Sequence, residues 1–341
     1  MEDVPIELWW KIASIACTDG GYTGGSLAQV SRSVQNATKS YRYQSVALKS
    51  DDQMRSFAKI AHRNREVGIK HLFLAAPLNN KLSPFAGMIQ QGPTLEDVFY
   101  KILRNASPTL ISLVVYEGGR TSVAAKAIRF PVLTDLIIPI TLRGEDLDVR
   151  FPSLRRLFLF PLHDRDGRVV TPTLYLSELP PTLTHLRIDV HSFVVEDAVR
   201  LVHAFVGVPI NPSSRFARFI AFGLGDLPGW STQTALKTEE LSSGRLANLK
   251  NIYLRPLGSL GLFSGPREMT QTRVEVNGDK RLYLFPDSHT EKYGINEAKR
   301  HWYNLVKGGD GPWAPPLQKH TLSGRDTHML LDSDTQGSQH L

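Results

Sequence analysis

The sequence predicts a mixed α+β or α/β chain in which a short N-terminal helical module precedes an irregular solenoid of parallel strands. Three observations carry that expectation. One recurring apolar segment with a leading proline appears several times, the opening stretch has helical periodicity, and the last thirty or so residues are polar and glycine-rich.

The recurring segment comes first because it sets the architecture. SPTLISLVV (107–115), FPVLTDLII (130–138), FPSLRRLFL (151–159) and PPTLTHLRI (180–188) all read Pro-x-Leu-x-x-Leu-x-apolar. GIKHLFL (68–74) and NLKNIYL (248–254) keep the apolar part without the proline. The leading positions Ile69, Leu110, Leu133, Leu154, Leu183 and Leu249 are separated by steps of 41, 23, 21, 29 and 66 residues. The shorter steps fall in the range of leucine-rich repeats, and Phe216 to Ala221 sits near the midpoint of the longest as a degenerate copy. Alternation in the second half of each copy predicts a short strand with one buried face. Proline ahead of a strand is tolerated because no ladder donor is needed there. The copies lack the asparagine or cysteine of the leucine-rich consensus, so the repeat is irregular. Unrelated strands of an ordinary α/β sheet would also give apolar runs, but not the shared proline.

Between and after the strands, LEDVFYKILRNA (95–106) and FVVEDAVRLVHAFV (193–206) have helical periodicity. NEAKRHWYNLVKG (296–308) predicts a closing helix with Ala298, Trp302 and Leu305 on one stripe. From Gly308 the composition predicts a disordered tail. The expected divisions are residues 1–48 for the helical module, 49–307 for the repeat region and 308–341 for the tail.

At the start, DVPIELWWKIASIA (3–16) places Leu8, Trp9, Ile12, Ile15 and Ala16 at helical spacing, with Asp3 as a possible cap and Pro5 in the first turn. Consecutive helical residues point about 100° apart, so Trp9 and Trp10 face different surroundings. After the glycine-rich break TDGGYTGG (18–25), a second helix is expected from Ser26 with Leu27, Val30, Val34 and Ala37 on its apolar face.

These residues resemble an F-box. VPIELWWKI is similar to the Leu-Pro-x-Glu-Leu opening of that motif, and LAQVSRSVQNATKSYRYQSVAL is similar to its second half; the overall form is similar to F-box proteins of mushroom-forming fungi. Val4 replaces the usual leucine, and Val34 stands where many members have tryptophan. The resemblance implies that Val4, Pro5, Ile6, Leu8, Trp9, Ile12, Leu27, Val30 and Ser31 contact a Skp-type adaptor and, through it, a cullin. It also implies that the chain is the substrate receptor of a ubiquitin ligase, with the repeat region holding a target protein. The alternative is a leucine-rich-repeat-like interaction protein with no ligase role, whose tryptophans cap the repeat stack. If the repeat leucines point inward, the residues between them form a binding face: His71, Phe73, Tyr116, Arg156, Phe158, His185, Arg187, Asp189, Tyr253 and Arg255.

Composition and motifs narrow the remaining classes. The formal charge of +7 is dispersed, which argues against dedicated nucleic-acid binding. The single cysteine, Cys17, allows no internal disulfide, and no apolar run reaches membrane-spanning length, so a cytoplasmic or nuclear address is expected. Ser26 in GGSLA lacks the strand that precedes a nucleophile elbow. GLGDLPG (223–229) has its third glycine one place late for a dinucleotide fingerprint. HDRDG (163–167) lacks the later glycine and glutamate of a calcium loop, and His185 and His191 have no evident partners for a metal. No enzyme activity, cofactor or metal is expected.

Overall fold

The computed structural model describes residues 4–63, 68–76, 93–117, 128–139, 150–160, 179–191, 248–257, 282–284 and 293–313. Asp3, the helix expected at 193–206, the degenerate copy at 216–221, the loops at 163–167 and 223–229 and the chain beyond 313 lie outside them.

Three short helices open the chain, α1 (Ile6–Ala16), α2 (Tyr22–Val30) and α3 (Arg32–Thr38). The break between the first two is shorter than the glycine pattern suggests. Gly20 and Gly21 take positive φ of 85° and 106° and make the turn, while Asp19 accepts from Thr23 N–H and caps α2. Gly24 lies inside α2, where a Cβ would run into the Arg42 carbonyl. Ser26 is therefore mid-helix, donating to the Tyr22 carbonyl, and the expected second helix divides at Ser31. Ser31 accepts from Val34 N–H at 3.2 Å as the N-cap of α3.

The described strands form one sheet, and every pairing is parallel: β1 (Ser45–Leu48), β2 (His71–Ala76), β3 (Ser112–Glu117), β4 (Asp135–Pro139), β5 (Arg156–Phe160), β6 (His185–His191), β7 (Asn251–Leu257) and β8 (Leu282–Leu284). Their order in the sheet is their order in the chain. All six recurring segments end in a strand, and the fold is of α/β type. Strands β1 and β8 were not marked by the repeat. Because β1 falls at residues 45–48, the sheet begins inside the range expected for the helical module.

Backbone bonds fix the register. The carbonyl of Lys70 accepts from Ile111 N–H and Ser112 N–H, and those of Ile111, Thr134, Arg155 and Thr184 each accept two successive N–H groups from the next unit in the same way. Side chains just before the leading leucine add a second tie. Thr109 and Thr182 donate to the Ile69 and Leu154 carbonyls, and Ser153 and Asn248 donate to the Pro131 and Pro181 carbonyls. The place just before the leading apolar residue is thus a hydrogen-bonding position in four of the six copies; Gly68 and Val132 lack a side-chain donor there, and Val132 is exposed.

Both faces of the sheet are covered. On one, the leading leucines join Leu72, Leu74, Leu113, Leu136, Leu157 and Leu186, with α4 (Asp51–Arg63) and α5 (Leu95–Ala106) adding Met54, Phe57, Phe99 and Ile102. Thr94 and Asp97 close a capping box on α5, which fixes where that helix begins. On the other face, α6 (Ile295–Val306) and a 3₁₀ turn at Gly311–Trp313 bury Phe73, Val114, Ile137, Phe158 and Tyr253. Pro312 and Trp313, in the segment expected to belong to the tail, are buried, and Trp313 joins this core. Trp302 is fully buried with its ring 5.8 Å from that of Phe73. Trp302→Ala should lower unfolding stability by about 3–5 kcal/mol in a urea titration; a loss below about 1 kcal/mol would mean that the helix is only loosely seated.

Candidate functional site

Two surfaces were expected to meet other proteins, and the structure treats them differently. The first is the N-terminal module. In α1 only Ala13 is buried. Trp9 is half-buried, whereas Trp10 projects outward, so the two tryptophans do have different surroundings. Ile6, Leu8, Trp10, Ile12 and Val30 are each between 44% and 50% exposed, and Ile15 is 67% exposed. Leu8, Ile12 and Ile15, read in the sequence as one set at helical spacing, all lie outward; the interior side of α1 is a narrow stripe through Ala13 to buried Cys17. Val4, Pro5 and Ser31 are also exposed, and Leu27 is half-buried. An apolar surface of this extent on an ordered helix is the type that a partner protein covers.

The module is not an independent appendage. Its α1–α2 turn lies along the free edge of β1, where the Gly20 carbonyl accepts from Ala47 N–H at 3.3 Å. Ser45 Oγ donates to the Cys17 carbonyl at 2.9 Å and accepts from Gly20 N–H at 3.1 Å. Gln44 Nε2 donates to the Ser14 carbonyl at 2.7 Å. Burial, with a smaller contribution from Asp19, pushes the Cys17 thiol up to about 11, which leaves it unreactive.

The second surface, the strand face, is not open. Phe73 meets Trp302, while Phe158 is enclosed by Tyr293, Trp313 and the Arg187 guanidinium, whose Cζ stands 4.4 Å from the ring centre. Tyr253 donates to the Trp313 carbonyl at 2.9 Å, and Tyr116 donates to the Tyr293 carbonyl at 3.2 Å. Arg187 Nε donates to Asp189 Oδ1 at 3.0 Å and its Nη1 donates to the Pro312 carbonyl at 2.9 Å. Arg255 Nη1 donates to Glu297 of α6 at 3.1 Å and lies 3.7 Å from Asp189 Oδ2. Of the ten residues expected on a binding face, Phe73, Tyr116, Phe158, Arg187, Tyr253 and Arg255 therefore meet α6 or the residues on either side of it, and Asp189 holds Arg187 and Arg255 in place. His71, Arg156 and His185, at the first position of their strands, are partly exposed. His71 Nδ1 meets Ser112 Oγ at 2.9 Å, and Arg156 is tied to Asp135.

What sequence reasoning missed here is the partner of the strand face. Its signal was present, since the Ala298, Trp302 and Leu305 stripe needs an apolar surface opposite. Asp189 is fully buried; burial pushes its carboxyl above the ordinary range, and the Arg187 and Arg255 guanidiniums oppose that shift. Among the described residues no three His, Cys, Asp or Glu side chains converge as a metal would require.

Two predictions follow from these charges. Asp189→Ala leaves Arg187 and Arg255 buried beside a missing carboxylate and should cost about 3–5 kcal/mol, measured by chemical denaturation. His71 and His301 are held neutral, their pKa lowered to about 4 and about 3, chiefly by burial and then by neighbouring cations. In the unfolded chain each takes a proton near 6.5, so stability is full above that value and is lost as pH falls toward 4 and 3. The slope is about 1.4 kcal/mol per pH unit per ring. Melting curves between pH 6.5 and 5, where ordinary carboxylates stay ionised, should show this decline, and His301→Gln should flatten it.

Comparison with known proteins returns no matching family model, no matching curated protein and no matching solved structure.

Proposed function

We propose that the chain is the substrate-receptor subunit of a cullin-RING ubiquitin ligase. In this reading α1 to α3 form an F-box that docks on a Skp-type adaptor, and the parallel sheet with its helices is an irregular leucine-rich-repeat-like solenoid that captures a target protein. The observation that carries the reading is the exposed apolar surface of α1, continued by Val30 of α2. Val4, Pro5, Leu8 and Ile12, which match the opening of the motif, all lie on it. The module's opposite side is already engaged with the sheet edge, so an outward apolar side calls for a different occupant.

The mechanism is proximity. A receptor that holds a target beside a ubiquitin-loaded enzyme raises its effective concentration and needs no chemistry of its own. The reading places the protein in the cytoplasm or nucleus. Among the described residues no helix is long and apolar enough to cross a membrane.

A second reading is favoured by one contact. Because the α1–α2 turn covers the β1 edge, the module also serves as a cap, which every stack of repeats needs. An interaction protein without a ligase role requires no more than that. Adaptor binding separates the two. Leu8→Ala with Ile12→Ala removes two exposed anchors and should weaken capture of a purified Skp-type adaptor at least about tenfold, with circular dichroism unchanged. Failure of the unaltered protein to bind the adaptor would leave the capping reading.

A further inference from the structure

With α6 over the middle of the sheet, the strand beginnings leave an exposed ledge among the described residues. The doubled backbone bonds align the residue just before each strand into one row. Lys70, Ile111, Arg155 and Lys250 are exposed in that row, and exposed Val132 flanks it. The aliphatic pair lies between Lys70 and Arg155. Among the described residues Lys70, Arg155 and Lys250 make no ion pair. Among the described residues the carboxylates that act on this row's histidines are Asp135, which is buried and held by Arg156 and Thr134, and Asp310 in the turn after α6.

We propose that this ledge is the docking surface for an acidic, extended polypeptide segment that also carries an aliphatic side chain, laid across the strand beginnings from Lys70 to Lys250. Charge complementarity selects the partner, since the row presents three cations and no carboxylate of its own. At the spacing of a parallel sheet, Lys70 and Lys250 stand about 24 Å apart, the span of about seven extended residues. Exposed Ile111 and Val132 give such a segment an apolar contact that a nucleic-acid backbone would not use. The positive field is felt locally: after burial, Lys70 is the next cause that lowers the His71 pKa, and Arg156 and Lys250 act likewise on His185. Identifying the segment as part of a captured target rests on the receptor reading; its acidic chemistry does not.

The test uses the full chain without adaptor and a fluorescent peptide of about eight residues that alternates glutamate with leucine. Anisotropy should show binding that weakens with added salt and falls at least about thirtyfold in Lys70→Glu/Arg155→Glu/Lys250→Glu. The same three charge reversals at exposed Lys101, Arg104 and Lys307 should leave it within about threefold, because screening confines the effect to the ledge. If the triple variant fails to fold, Lys70→Gln/Lys250→Gln carries the test, with an expected loss of about tenfold. Equal binding by wild type and the ledge variant, or equal losses in the ledge and control variants, would overturn the proposal. Tighter binding of a single-stranded DNA oligonucleotide of matched charge would overturn the choice of polypeptide. Loss of adaptor capture with peptide binding intact would count against the receptor reading alone.

Discussion

The rest of the structure depends on one backbone arrangement. In each unit a single carbonyl, from Gln44, Lys70, Ile111, Thr134, Arg155 or Thr184, accepts two successive N–H groups of the next unit. That pair of bonds sets where each strand begins, and therefore which side chains point to which face. A slip of one residue would exchange the leucine face for the face under α6. The Ser, Thr and Asn side chains before the leading leucine reinforce the same join, so insertions between strands vary in length without disturbing the register. Hence steps as different as 21 and 66 residues coexist in one continuous sheet.

A parallel sheet with both faces apolar needs two covers. Helices α4 and α5 supply part of one, and α6 with the following turn supplies the other. The second cover is unusual in its polar content. Arg187, Asp189, Arg255 and Glu297 lie within it, and their mutual bonds offset part of what desolvation costs. Charges at this depth add little net stability compared with apolar groups of the same size, but they are direction-dependent. Their geometry fits α6 in one register over β6 and β7. Trp302 and Trp313 each bury an indole N–H without a partner among the described residues, a cost accepted for the area their rings cover.

The N-terminal module meets the sheet where an edge would otherwise be open. Hydrogen bonds from Ala47 and through Ser45 occupy the β1 edge, and Tyr303 of α6 donates to the Asp19 carbonyl at 3.2 Å. The module is thereby held by both ends of the described chain. Its orientation turns the apolar residues of α1 outward on a firm base. Both the edge and the apolar surface are thus consequences of one docking geometry.

Much of the fold was legible in the sequence because its signals are local. The L-x-x-L-x-apolar pattern located β2 to β7, and helical periodicity located α5 and α6 to within a residue or two. Strand β1 was hidden because Ser45 to Leu48 is short and carries no repeat signal. Ser26 looked like a helix start because its capping chemistry is real; packing of Gly24 against the Arg42 backbone drew the preceding turn into α2 instead. The apolar character of Ile6, Leu8, Trp10 and Ile12 was readable from periodicity, but an outward position for Ile6, Leu8 and Ile12 was suggested only by resemblance, since periodicity marks an apolar stripe without saying what faces it. For the same reason the strand face could not be told from a binding face. By itself the sequence determined strand order, strand register and the apolar stripe of α6, all of which follow from spacing along the chain. Only tertiary structure decided that α6 closes over Phe73, Phe158 and Arg187, because that contact joins segments more than a hundred residues apart, and no local pattern encodes which of two apolar surfaces meets the other.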